Sequence, residues 1–134
     1  LIRPDDILAY ARECLGTPFR HQGRLATVSL DCIGVVIHVA QRLGLPHVDH
    51  FGYGRNPSGI LQAALDAQIC LQAVAVAQAG DVLLMRFDAD PQHVGICTGE
   101  GLIHSYSAIG QVVEHHLDDD WRARVVKIYR FVQP

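Results

Sequence analysis

The sequence predicts an α+β fold in which N-terminal helices pack on an antiparallel sheet of about five strands. Two observations carry this. Apolar residues recur at helical spacing in the first half of the chain, and the pattern turns strand-like after Gly80-Asp81. The later segments are short, rich in β-branched and aromatic residues, and mostly separated by Gly, Asp and Pro, which suits hairpins rather than helical crossovers.

The first helix is expected over residues 5–15, with Leu8, Ala11 and Leu15 as its apolar stripe, Pro4 near its start and Gly16 after its end. A loop, Thr17-Pro18-Phe19-Arg20-His21-Gln22-Gly23-Arg24, then leads to Asp31. The second helix is expected over residues 32–43. Its apolar run is Ile33, Val35, Val36, Ile37, Val39, Ala40 and Leu43, with Asp31 as N-cap and Gly44 as the stop. Residues 44–59 form a long irregular segment with His47, His50, Phe51 and Tyr53. It reads as a surface crossing tacked down by its aromatics, with a substrate wall as the other reading. Ser58 is placed to cap a third helix that buries Ile60, Leu61, Ala64, Leu65 and Ile69. Strands are expected over residues 82–87, 93–98, 102–106, 112–116 and 125–131, with a helical turn over 118–124 around Trp121.

With 134 residues, 49% of them hydrophobic and 19% charged, residues 1–134 are expected to form one domain. Such a domain buries roughly two-thirds of its unfolded surface in one core. A formal charge of −3 supplies no basic field, so no nucleic-acid partner is expected. No apolar run approaches the ~20 residues of a membrane span, so no membrane partner is expected either. The opening Leu-Ile-Arg-Pro-Asp-Asp lacks the charged-then-apolar design of a signal peptide. Cys14, Cys32, Cys70 and Cys97 show no Cys-x-x-Cys spacing and read as reduced thiols, with Cys14 and Cys70 as small hydrophobes on helix faces.

Cys32 differs in its setting. A thiol in the first turn of a helix meets unpaired N–H groups and the positive end of the helix dipole, so its thiolate is expected to be favoured. Gly34 would let another backbone or a substrate approach the sulfur. A cysteine nucleophile needs an imidazole to take its proton and a third group to orient that imidazole. His93 opens a strand, with Gly95 on the same face to leave room beside the ring, and His104 lies in the next strand. A two-residue turn centred on Thr98-Gly99 would set the two rings opposite each other on one face, although Gly99 and Gly101 permit other registers. His38 reads as a packed helix residue. His115 and His116 alternate faces on an edge strand, so at most one points inward. His21 and Gln22 could border the cleft. A zinc site drawn from His93, His104, Cys32 and His115 lacks His-Glu-x-x-His or paired-cysteine spacing. No metal or organic cofactor is expected.

Asp31-Cys32-Ile33-Gly34, His93-Val94-Gly95-Ile96 and Leu102-Ile103-His104-Ser105-Tyr106, in that order and spacing, resemble the NlpC-type cysteine peptidases. Those are papain-like cell-wall endopeptidases. Gly16-Thr17-Pro18-Phe19 and Ala79-Gly80-Asp81-Val82-Leu83 also match, so the resemblance covers roughly residues 5 to 131. Arg20-His21-Gln22-Gly23-Arg24 and the ending from Trp121-Arg122 to Tyr129-Arg130-Phe131 look most like the branch encoded with phage-tail and gene-transfer-agent genes.

The resemblance implies the papain-like NlpC fold and hydrolysis of an amide in the peptidoglycan stem peptide, commonly between D-glutamate and the diamino acid. It makes Cys32 the nucleophile, His93 the base and later acid, and His104 the orienting residue. Asp31 would stand beside the site, where relatives recognise the substrate's amine, and the Cys32 N–H would join the oxyanion hole. The implied partners are the stem peptide and phage-tail or tail-tip proteins. The implied setting is synthesis in the bacterial cytoplasm, incorporation in a phage-like tail, and action in the periplasm or cell wall. Phe19 replaces a tyrosine common in the family, which removes a phenolic hydroxyl from the site's surroundings. The alternative function is a catalytically silent structural or binding module of a tail tip, and the presence of all three catalytic residue types argues against it.

Overall fold

The computed structural model describes residues 1–49, 59–88 and 90–134. Helix α1 (Pro4–Arg12) starts with proline in its first turn, Asp5 and Asp6 beside its positive end and Arg12 at the other, all favourable to the helix dipole. It buries Ile7, Leu8 and Ala11. The helix stops before Leu15, which is 42% exposed, whereas Cys14 is buried just past the helix. The cause lies in β7, described below: the Gly16 N–H donates to Val112 O and the Val112 N–H to Thr17 O, pulling the chain off the helix axis.

A two-residue hairpin follows, β1 (Arg24–Leu25) with β2 (Ser29–Leu30), unannounced by any alternation. Helix α2 (Cys32–Arg42) matches its expected span, with Leu43 as C-cap. The Asp31 carboxylate accepts the Gly34 N–H at 2.8 Å, and Gly44 leaves the helix at φ +70°. Its face of Val35, Val36, Ile37, Val39 and Ala40 is buried. Each larger side chain there contributes about 1.5–3 kcal/mol relative to exposure.

Helix α3 (Ile60–Asp66) buries only Ala64 and Leu65, and Gly59 occupies its N-cap position. Ser58, His50, Phe51 and Tyr53 lie outside the described residues. Ile60 and Ile69 are exposed, against expectation: Ile60 is the first residue of α3, and Ile69 lies beyond its end at Asp66. Cys70 likewise lies beyond α3, buried beside the next strand.

Among the described residues the sheet has six strands rather than five: β3 (Leu71–Val74), β4 (Val82–Met85), β5 (His93–Cys97), β6 (Gly101–Tyr106), β7 (Gln111–His116) and β8 (Val125–Phe131). Their order is β3-β8-β4-β5-β6-β7, and every pairing is antiparallel. The unforeseen strand, β3, lies at the edge among the described residues and pairs there with β8; its burial does not alternate, so its sequence carries no period of two. Helix α4 (Asp119–Arg124) precedes β8 and is capped by Asp118, which accepts the Trp121 N–H at 3.0 Å.

Both faces of the central strands are covered, which is why β4 and β5 are buried along their whole length. Val82, Leu84, Val94, Ile96 and Ile103 join the core formed with α1 and α2. Leu83, Met85, Cys97 and Leu102 join a smaller core with Leu117 and Trp121. His93 pairs with Met85 across the β4–β5 ladder and therefore belongs to this second face.

Candidate active site

Strands β5 and β6 are joined by a turn centred on Gly99-Glu100, with Thr98 N–H bonded to Gly101 O at 2.9 Å. Gly99 takes the left-handed position at φ +106°. The resulting register, Ile96↔Ile103 and Cys97↔Leu102, is shifted by two residues from the expected one. A shift of two preserves the faces, so His93 and His104 still share one, as diagonal rather than directly opposed neighbours. His93 Nε2 and His104 Nδ1 are 2.6 Å apart. Gly95 serves the other strand rather than the His93 ring: a Cβ there would meet Leu102 Cδ1 at 2.5 Å and His104 Cβ at 3.1 Å.

The β5–β6 ladder is only two pairs long, although both strands continue toward His93 and Tyr106. The N-terminus of α2 docks where the pairing ends. The Val94 N–H faces the Cys32 sulfur. Ser105 Oγ donates to Leu30 O at 2.6 Å. Cys32 thus lies against the residue that follows His93, at a split in the sheet that links its helix face to its histidine face.

The electrostatics depart from expectation. Burial, followed by the negative charge of Asp31, pushes the Cys32 thiol up to about 12, against the opposing pull of the Val94 and Ile33 amides and Arg24. The helix N-terminus does not deliver a thiolate, because burial outweighs the amides facing the sulfur and the Asp31 cap, which has taken the Gly34 amide, adds its own negative charge. Burial brings His93 down to about 3. Burial, aided by His93 and His115, brings His104 down to about 2. The resting site therefore holds a neutral thiol and neutral imidazoles.

Asp31 is held by its own framework. Its carboxylate accepts from Gly34 N, from the Gln22 N–H at 2.9 Å and from Arg24 at 2.8 Å, and Arg24 in turn binds Asp49 at 2.9 Å. The loop of His21 and Gln22 therefore borders Asp31. The backbone that Gly34 admits is that of Gly23, whose carbonyl oxygen would lie 2.4 Å from an added Cβ.

Other histidines separate cleanly. His38 Nε2 pairs with Glu13 at 2.9 Å in an ion cluster with Arg42. His47 Nδ1 donates to Leu45 O at 2.9 Å. His115 points inward and its Nε2 lies 2.8 Å from His104 Nε2, while His116 is exposed.

An aromatic enclosure, missed in the sequence, surrounds this row of rings. Trp121 lies 5.0 Å from His104 and 5.3 Å from His115 between centroids, Tyr106 stacks 5.4 Å from His104, and Phe87 lies 5.6 Å from His93. The signal for Tyr106 was its two-residue spacing from His104. For Trp121 it was an isolated large ring in a charged segment. Among the described residues, no group of three or more His, Cys, Asp or Glu is arranged to hold a metal ion, and no helix is long and apolar enough to cross a membrane.

The sequence pattern of the NlpC/P60 family matches residues 16–130. No curated protein matches the chain. Among solved structures, the NlpC/p60 domain of the peptidoglycan hydrolase SagA is similar at 21% identity and a TM-score of 0.64, over 98% of this chain and 100% of that one. A lipoprotein-like NLP/P60 protein from Staphylococcus aureus is similar at 20% identity and a TM-score of 0.72, over 98% of this chain and 42% of its own. An NlpC/P60 protein from Bacillus cereus is similar at 21% identity and a TM-score of 0.70, over 99% of this chain and 41% of its own. The chain thus spans about two-fifths of the length of those two proteins.

Proposed function

Because the chain belongs to the NlpC/P60 family, we propose that it is a cysteine peptidase that cleaves an amide in the peptidoglycan stem peptide, between D-glutamate and the diamino acid. The observation that carries this reading is the meeting of Cys32 with the start of β5, where His93 is bonded to His104. The SagA domain, described as that of a peptidoglycan hydrolase, supports the substrate class.

On this reading Cys32 attacks the scissile carbonyl as His93 removes its proton, since the resting thiol is neutral. The Cys32 N–H helps hold the oxyanion. His93 then protonates the leaving amine, and water activated by the same ring hydrolyses the thioester. His104 orients His93. Asp31 directs negative charge toward the substrate's amine while its oxygens brace the loop. The peptidase domain takes in residues 1–134. The Arg20–Arg24 loop and the C-terminal segment support a place in a phage-like tail, with tail or tip proteins as partners and the cell wall as the site of action, where cleavage aids genome entry.

Digestion of purified peptidoglycan, with products identified by mass spectrometry, tests the activity. New stem-peptide fragments should come from wild type and not from Cys32→Ala. Absence of fragments from both would favour the catalytically silent module. Mass spectrometry of purified tail particles tests the setting, which fails if the chain is absent from them.

A further inference from the structure

His115 Nδ1 lies 2.8 Å from the His116 carbonyl oxygen. A carbonyl can only accept, so this nitrogen carries a proton. A neutral imidazole has one N–H, so His115 Nε2 presents a lone pair to His104 Nε2 at 2.8 Å. His104 Nε2 must then donate, which leaves its Nδ1 to accept from His93 Nε2 at 2.6 Å. The His93 lone pair is thereby confined to Nδ1. We infer that His115, anchored on the His116 carbonyl, is a positioning residue that makes Nδ1 of His93 the base, an inference resting on the peptidase reading above.

The same row of bonds serves the charged state. When His93 takes the Cys32 proton on Nδ1, its Nε2–H still points at a lone pair, and each ring and the final carbonyl present their negative ends toward the cation. No proton leaves His93 along the row. A buried imidazolium is otherwise expensive, and here His93 has no carboxylate partner in its row.

The test is NMR on the full chain with ¹⁵N-labelled histidine, combined with steady-state hydrolysis of peptidoglycan fragments. Wild type should show His93 as the Nε2–H tautomer. His115→Phe keeps a ring against Trp121 but offers no lone pair. It should mix the His93 tautomers and lower kcat about 10- to 100-fold, the usual effect of losing a group that orients a functional ring, with KM unchanged. His115→Gln offers an amide oxygen to His104. It should restore most of kcat and the single His93 tautomer. An Nδ1–H tautomer at His93 in wild type, or an unchanged kcat in His115→Phe, overturns the inference. The expected tautomers in a protein that cleaves no peptidoglycan would support the row while removing the peptidase reading. Should His115→Phe fail to fold, the wild-type tautomer decides, together with the tautomer and kcat of His115→Gln.

Discussion

Ser105 and Leu30 are joined by a hydroxyl-to-carbonyl bond of 2.6 Å across 75 residues. It ties the strand of His104 to the residue two before Cys32, at the point where β5 and β6 have stopped pairing. Ser105→Ala should cost about 1 kcal/mol, because the Leu30 carbonyl retains the Arg20 N–H at 3.3 Å. Urea unfolding measures that loss. Hydrolysis should fall further than the stability loss explains, since the thiol's position depends on this tether; equal activity in the folded variant would show that it does not.

Gly34→Ala opposes two effects. Alanine in a helix is favoured over glycine by about 1 kcal/mol. Here its Cβ would sit 2.4 Å from the Gly23 carbonyl oxygen and 2.9 Å from Leu30 Cδ2. Backbone cannot yield as a side-chain tip can, so the clash wins, and a net loss of about 1–3 kcal/mol is expected. A lowered midpoint in chemical denaturation checks the sign.

Stability should fall with acidification before the surface carboxylates matter. His93 and His104, held down to about 3 and about 2, are neutral in the fold at pH values where the unfolded chain protonates them. Their contribution is complete above the ordinary histidine value of about 6.5 and is lost as pH falls toward 3. While both take up a proton on unfolding, the slope approaches about 2.7 kcal/mol per pH unit. Unfolding measured at intervals from pH 7 to 4 should show that slope in wild type and about half of it in His104→Asn.

Cys32 should alkylate slowly in the resting protein despite opening a helix. With its thiol pushed up to about 12, the reactive anion is scarce at neutral pH, and labelling by iodoacetamide should accelerate about tenfold per pH unit well above pH 8. Rapid labelling at pH 7 with a plateau would instead reveal a preformed thiolate. Slow labelling together with efficient hydrolysis would identify proton removal by His93 during attack as the activating step.

What was legible in the sequence followed from local periodicity. Asp31, the apolar run after Cys32 and Gly44 define α2 almost to the residue, because cap, face and stop agree. The pairing of His93 with His104 survived a wrong turn position, since parity withstands a slip of two. What escaped depended on distant chain. Strand β3 exists because β8 offers an edge, not because Leu71–Val74 alternates. The raised thiol reflects burial against β5, which no helix rule contains. Arg24 reaches Asp31 only after the β1–β2 hairpin folds back.

Trp121 is the only tryptophan of the chain, and its ring stands over His93, His104 and His115 at 6.4, 5.0 and 5.3 Å. An excited indole gives up an electron more readily to an imidazolium than to a neutral imidazole. The protein's ultraviolet emission is therefore a direct optical record of charge in that row. It should dim whenever His93 carries the nucleophile's proton and brighten when the amine departs with it, so a stopped-flow trace could time each half of a turnover with no dye attached.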